Sequence, residues 1–121
     1  MTAIEELLRA SAPVTMAREA AVDTELAGCP VAAGTPLLLP FPSANRDPDL
    51  FERPDEVLLD RSPNRHVSFG VGIHRCLGSH LARLEVSVAV ERFLARSERF
   101  TLADPAGVRW STGQVRGPRT M

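Results

Sequence analysis

Ten residues, Phe69-Gly-Val-Gly-Ile-His-Arg-Cys-Leu-Gly78, constrain this chain more than any other feature. Glycines at 70, 72 and 78 leave the backbone on both sides of Cys76 without side chains, so a large flat object can approach it closely. Immediately downstream, Leu77, Leu81, Leu84 and Val88 recur at helical spacing with Ala89 and Phe93 beside them. They predict the strongest helix of the chain, over about 77–96. Cys76 then sits at a helix N-terminus, where unpaired N–H groups and a partial positive charge favour a thiolate over a thiol. Three readings are open for such a cysteine: a buried structural thiol, an activated nucleophile or a soft metal ligand. The glycine spacing is not that of a dinucleotide-binding loop, because Gly70-x-Gly72 is followed only by Gly78 and no strong strand precedes it.

The remainder of the chain narrows the class of protein. Its 121 residues suffice for one domain, with 44% apolar and 24% charged residues, as in ordinary globular proteins. A formal charge of −1 offers no broad basic field, which argues against nucleic acid as a partner. Tyrosine is absent and tryptophan occurs once, so a base-stacking platform is not expected either. Cys29 and Cys76 make no disulfide framework and predict a reducing, cytoplasmic setting; Cys29, in a hairpin turn, reads as an inert thiol. The longest apolar run, Pro36 to Pro42, is too short to cross a bilayer, and the opening residues lack the features of a secretory signal, so no membrane association is expected.

Ile4, Leu7, Leu8 and Ser11 share one helical face, and Thr2 with Glu5 fits a capping box, predicting a helix over about 2–12 that Pro13 ends. A strand is expected within 14–22, a hairpin over 26–34 and a further strand over 35–39. Residues 43–51 offer caps for one short helix. The long meander that follows, up to Ser68, has little periodicity, and a run of this kind inside a compact domain is usually functional. Short, loose strands are expected after Phe100. The architecture predicted is α+β: two main helices, short strands and hairpins, the meander and the cysteine loop.

Phe69 is placed to shield the sulfur from water, and His74 to pair with an acidic group on the bound object. A glycine loop, an aromatic ring, a cation and a thiolate together suit haem iron held by cysteine. Here Phe69-x-x-Gly72-x-His74-x-Cys76-x-Gly78 resembles the haem-binding signature of the cytochrome P-450 monooxygenases. The resemblance extends over nearly the whole chain: Glu6-Leu-Leu-Arg9 is similar to the family's Glu-x-x-Arg pair, and Arg61 stands where a third partner of that pair belongs. Asn45-Arg-Asp-Pro48 resembles a segment of soluble bacterial members, and His80-Leu-Ala-Arg-Leu-Glu85 the start of the helix behind the haem.

The resemblance implies a haem b (iron protoporphyrin IX) cofactor with Cys76 as axial thiolate, and Phe69, Gly70, Gly72, Leu77 and Gly78 around it. His74 and Arg18 would hold the propionates, and Glu6, Arg9 and Arg61 would form a buried ionic triad bracing the loop. It implies O2 and a small organic substrate as reactants, and a ferredoxin-like or flavin redox partner docking near Arg75. The family's chain is far longer, so residues 1–121 are expected to be the C-terminal haem-binding portion, without the N-terminal part or the distal oxygen-activating helix, and therefore marginally stable and prone to associate. Two alternatives stand beside this: a non-catalytic remnant or interaction module of the same family, and a zinc or cysteine-nucleophile protein using His74, Cys76 and His80. His66 and His80 read, by themselves, as surface or packing residues.

Overall fold

In the computed structural model, which describes residues 2–120, the centre of the molecule is charged rather than oily. The buried apolar residues are Ala12, Ala20 and Phe51, whereas Glu6, Arg9, Asn45, Arg61 and Ser79 are buried as well. Helix α1 (Thr2–Ala10) supplies Glu6 and Arg9 to this centre, one turn apart on the same face. It is shorter than the 2–12 expected. The predicted capping box is not made, because the Glu5 carboxylate is engaged by Arg83 and His66 instead of reaching back to Thr2.

Strand β1 (Thr15–Glu19) pairs antiparallel with β4 (Pro36–Pro40), Thr15 opposite Pro40 and Glu19 opposite Pro36. Nested between them, β2 (Thr24–Leu26) and β3 (Cys29–Val31) form a tight hairpin. Its two-residue turn has positive φ at Ala27 (50°) and Gly28 (82°), the geometry that matches the twist of the paired strands. Cys29 lies at the start of β3 and is exposed. The chain's last strands, β5 (Arg109–Trp110) and β6 (Pro118–Thr120), form a second small ribbon, tied back to β1 by the Val14–Val115 bridge.

The short helix expected within 43–51 lies earlier: α2 spans Phe41–Ala44, with proline in its first turn where a missing N–H costs nothing. From Asn45 to Ser68 the chain runs in turns. Helix α3 (Ser79–Leu94) starts two residues later and ends two earlier than predicted. The apolar stripe that marks this helix in the sequence faces outward: Leu77, Leu81, Leu84, Val88 and Phe93 are exposed. The face that packs inward is Ser79, Ala82, Arg83, Val86 and Val90, where small residues let the helix approach α1. The whole chain exposes 9528 Å2, against roughly 6,400 Å2 for a compact monomer of 13.1 kDa. Large aliphatic faces therefore lie uncovered. No helix among the described residues is long and apolar enough to cross a membrane.

Candidate functional site

The meander holds its shape because two arginines collect its carbonyl groups. Arg9 donates Nε and Nη2 to the two Glu6 carboxylate oxygens, each at 2.8 Å. Its remaining donors reach the carbonyls of Asn45 (2.8 Å), Pro54 (2.7 Å) and Glu56 (2.8 Å). Arg61 donates Nε to Glu6 Oε2 at 3.0 Å and its Nη groups to the carbonyls of Glu52, Arg53 and Glu56. Both guanidinium groups lie against the buried Phe51 ring, 5.3 and 5.9 Å from its centroid. A segment without helix or strand must satisfy its backbone elsewhere, and here the arginine forks do so.

Glu6 also accepts from the Leu58 N–H (2.8 Å) and from Asn64 Nδ2 (3.0 Å). Burial pushes its pKa up, but the donors from Arg9, Leu58 and Arg61 outweigh that and hold the carboxyl at about 2. The folded state thus keeps Glu6 ionised where the unfolded chain protonates it. Its contribution is complete above the ordinary carboxylate value of 4.5 and is lost as pH falls from there towards 2. The loss amounts to about 3 kcal/mol. The urea midpoint of the chain is accordingly expected to stay level above pH 5 and to drop steeply below pH 4; a midpoint still level at pH 3 contradicts this cluster's role.

Asn45 ties the triad to the cysteine loop. Its amide nitrogen donates to the Arg9 carbonyl (3.2 Å) and to Ser68 Oγ (2.8 Å), and its Oδ1 accepts from the Val67 N–H (2.8 Å). Ser68 Oγ in turn donates to the Leu8 carbonyl (2.8 Å). From there the loop turns through Gly70 (φ 72°) and Gly72 (φ 62°), the left-handed region that glycine enters at no steric cost. A one-turn 3-10 helix, Gly72–His74, follows, and the Cys76 N–H closes the loop on the Phe69 carbonyl at 2.8 Å.

Cys76 lies two residues before the Gly78 N-cap of α3, and its carbonyl accepts the Ser79 N–H at 3.2 Å. The side chain is exposed, which removes the buried structural thiol from the three readings. Beside it Ile73 and Leu77 are 97% and 99% exposed, an apolar platform flanking a sulfur. A Cβ added to Gly72 would meet nothing within 4 Å, and one added to Gly78 would sit 3.8 Å from the Cys76 sulfur, so the glycines leave room around the thiol. The Phe69 ring lies under the Arg83 guanidinium, 4.7 Å from centroid to carbon, and 6.3 Å from the His66 ring.

His74 is exposed at the end of the 3-10 turn. Arg18 lies on β1 and donates to the neighbouring Ala17 carbonyl at 2.7 Å, with no contact to His74 among the described residues. His74, Cys76 and His80 form no three-residue metal cluster, so the zinc alternative gains nothing from the geometry.

Residues whose roles the sequence did not reveal are Glu5, Asn45, Asn64, His66 and Arg83. Arg83 makes a two-pronged ion pair with Glu5 at 2.7 and 2.9 Å. The His66 side chain, expected near the surface or in packing, is 2% exposed and 3.0 Å from Glu5. Hydrogen bonds from Arg83 hold the Glu5 carboxyl below its ordinary range, and Glu5 holds Arg83 above its own. One available signal was spacing: His66 precedes Phe69 by three residues, and Arg83 and Ser79 share one face of α3.

The cytochrome P450 family profile matches residues 1–109. The chain is 46% identical to a steroid C26-monooxygenase of Mycolicibacterium smegmatis, over 98% of this chain and 30% of that one. It is also 46% identical to the polyketide biosynthesis cytochrome P450 PksS of Bacillus subtilis, over 90% of this chain and 28% of that one. The solved structure of PksS superposes with a TM-score of 0.93 at 44% identity, covering 98% of this chain and 31% of that one. P450BioI, solved with a ligated acyl carrier protein, superposes at 0.90 with 41% identity, again over 98% and 31%. The fold is therefore that of part of a cytochrome P450. The chain belongs to the cytochrome P450 family, whose members bind haem b, and spans about 30% of the length of these relatives.

Proposed function

We propose that this chain is the C-terminal, thiolate-bearing portion of a P450 haem site, serving a monooxygenase that acts on a small organic substrate. The observation carrying this reading is an exposed Cys76 on a glycine loop, with Ile73 and Leu77 forming an uncovered apolar platform beside it. That donor set fits a porphyrin: a soft sulfur for iron, aliphatic side chains for the macrocycle, and no Cβ at 72 or 78 to crowd it. Haem bound there supplies activation of O2, with one oxygen atom entering the substrate and the other leaving as water at the cost of two electrons and two protons.

The chain's own residues do the holding and tuning. Cys76 would hold the iron, and the Leu77 and Gly78 N–H groups, which have no acceptor among the described residues, lie next in sequence to donate towards the sulfur and temper its charge. His74 and Arg18 take the propionates, and Glu6, Arg9 and Arg61 brace the loop through Asn45. A ferredoxin-like or flavin protein delivers electrons near Arg75, which with Arg65 lines a cleft of about 330 Å3 beside the loop. A cytoplasmic setting belongs to the same proposal, supported by the two unpaired thiols.

Titrating haem into the chain, reducing it and adding carbon monoxide tests the reading. The expected result is the red-shifted Soret band of a thiolate-ligated ferrous–CO adduct. A band at the position given by nitrogen ligation, or no haem uptake, overturns it.

A further inference from the structure

A second charged cluster, separate from the Glu6 triad, stands directly behind the cysteine loop. Glu5 on α1 receives both prongs of Arg83 on α3, at 2.7 and 2.9 Å, and His66 Nε2 at 3.0 Å. His66 Nδ1 accepts the Ser68 N–H at 3.3 Å, so the ring carries its proton on Nε2 and donates to Glu5. Arg83 is fixed further by the Ser79 carbonyl at 3.2 Å, and its guanidinium plane covers the Phe69 ring at 4.7 Å. Two helices and the loop's entering limb therefore meet at one carboxylate, with the aromatic ring packed against the guanidinium it holds. A guanidinium held from its other side by a bidentate carboxylate cannot swing away, so the ring beneath it is held as well.

We infer that Glu5, His66 and Arg83 are positioning residues that fix the Phe69 ring, and through the Phe69 carbonyl the Cys76 amide, in the place the sulfur requires. The inference deepens the reading of Cys76 as a haem ligand and rests on it for its chemical consequence. The mechanical part stands on the chain alone: the Phe69 carbonyl accepts the Cys76 N–H at 2.8 Å, so a displaced ring moves the backbone that carries the thiol. The electrostatic part follows from charge. A cation behind the loop that carries the ligand favours the reduced, less positive iron, and removing it favours the oxidised form.

The test uses the full chain labelled with fluorophenylalanine, whose five signals arise from Phe41, Phe51, Phe69, Phe93 and Phe100. In Arg83→Gln the Phe69 fluorine signal is expected to shift and broaden while those of Phe93 and Phe100 stay in place; His66→Gln gives a smaller shift of the same line. Arg83→Lys, which keeps the charge and loses the fork, falls between the parent and Arg83→Gln. In haem-loaded chain the midpoint potential is expected to fall in Arg83→Gln and to be largely restored in Arg83→Lys. An unmoved Phe69 line, or all five lines moving together as in general loosening, overturns the inference. A chain that takes up no haem sinks the reading of Cys76, while the fluorine signals still decide whether the network holds the ring.

Discussion

Glu6→Ala is expected to cost about 3–5 kcal/mol, enough to unfold the chain at ambient temperature. The substitution leaves Arg9 and Arg61 buried without a counter-charge, 1% and 7% exposed at their side chains. It also strips the acceptor from the Leu58 N–H and from Asn64 Nδ2. Neither arginine can retreat to water without releasing the carbonyls of residues 52–56, so the meander is lost with the charge pair. Glu56→Ala is the matching control: its side chain makes an exposed pair with Arg53, 55% and 56% exposed, worth at most about 1 kcal/mol. Its carbonyl, which serves Arg9 and Arg61, is untouched by the change. Urea unfolding followed by circular dichroism separates the two variants, and equal midpoints for Glu6→Ala and Glu56→Ala contradict a triad at the centre of this fold.

That comparison shows where sequence reasoning was strong and where it failed. The hairpins were legible because glycine and proline punctuate them: Gly28 enters positive φ freely, and Pro36 and Pro40 bound β4. The α3 helix was legible by periodicity, but its buried face was not. Leu77, Leu81, Leu84 and Val88 form the more apolar stripe, yet within this chain the packed side is Ser79-Ala82-Arg83-Val86. Hydrophobic patterning reports which face prefers to leave water, not which neighbour is present to cover it. The uncovered stripe is continuous with Leu77 beside the cysteine, and a chain spanning about 30% of its relatives' length leaves just such faces without a neighbour.

Electrostatic partners were the second blind spot. Glu5 and Arg83 lie 78 residues apart, and His66 and Glu5 lie 61 apart, so no local pattern couples them. Glu6 and Arg9, by contrast, are three residues apart and legible as a pair, although an isolated i,i+3 pair in water contributes only a few tenths of a kcal/mol. What raises its value is burial against Arg61 and the carbonyls of the meander, which only the folded chain displays. Asn45 belongs to the same class: its side chain joins Arg9 to the Val67–Ser68 segment, both remote from it in sequence.

Cys76→Ser is expected to abolish the thiolate-type ferrous–CO band completely while leaving the fold intact. The side chain is exposed and its replacement is nearly isosteric, so the stability change is expected to stay within about 0.5 kcal/mol. The ligand chemistry changes far more than the packing. A cysteine sulfur is a soft, strongly donating ligand for iron, whereas a serine oxygen is hard. Band position, rather than colour, is the quantity to follow, because the exposed imidazoles of His74 and His80 can still take up haem through nitrogen. Cys29→Ser supplies the second arm: that thiol is equally exposed, but it sits on β3 without a glycine loop or an apolar platform. The red-shifted band should survive in Cys29→Ser and vanish in Cys76→Ser. Survival in both, or loss in Cys29→Ser alone, would show that exposure of a sulfur is enough and that the loop from Phe69 to Gly78 selects nothing.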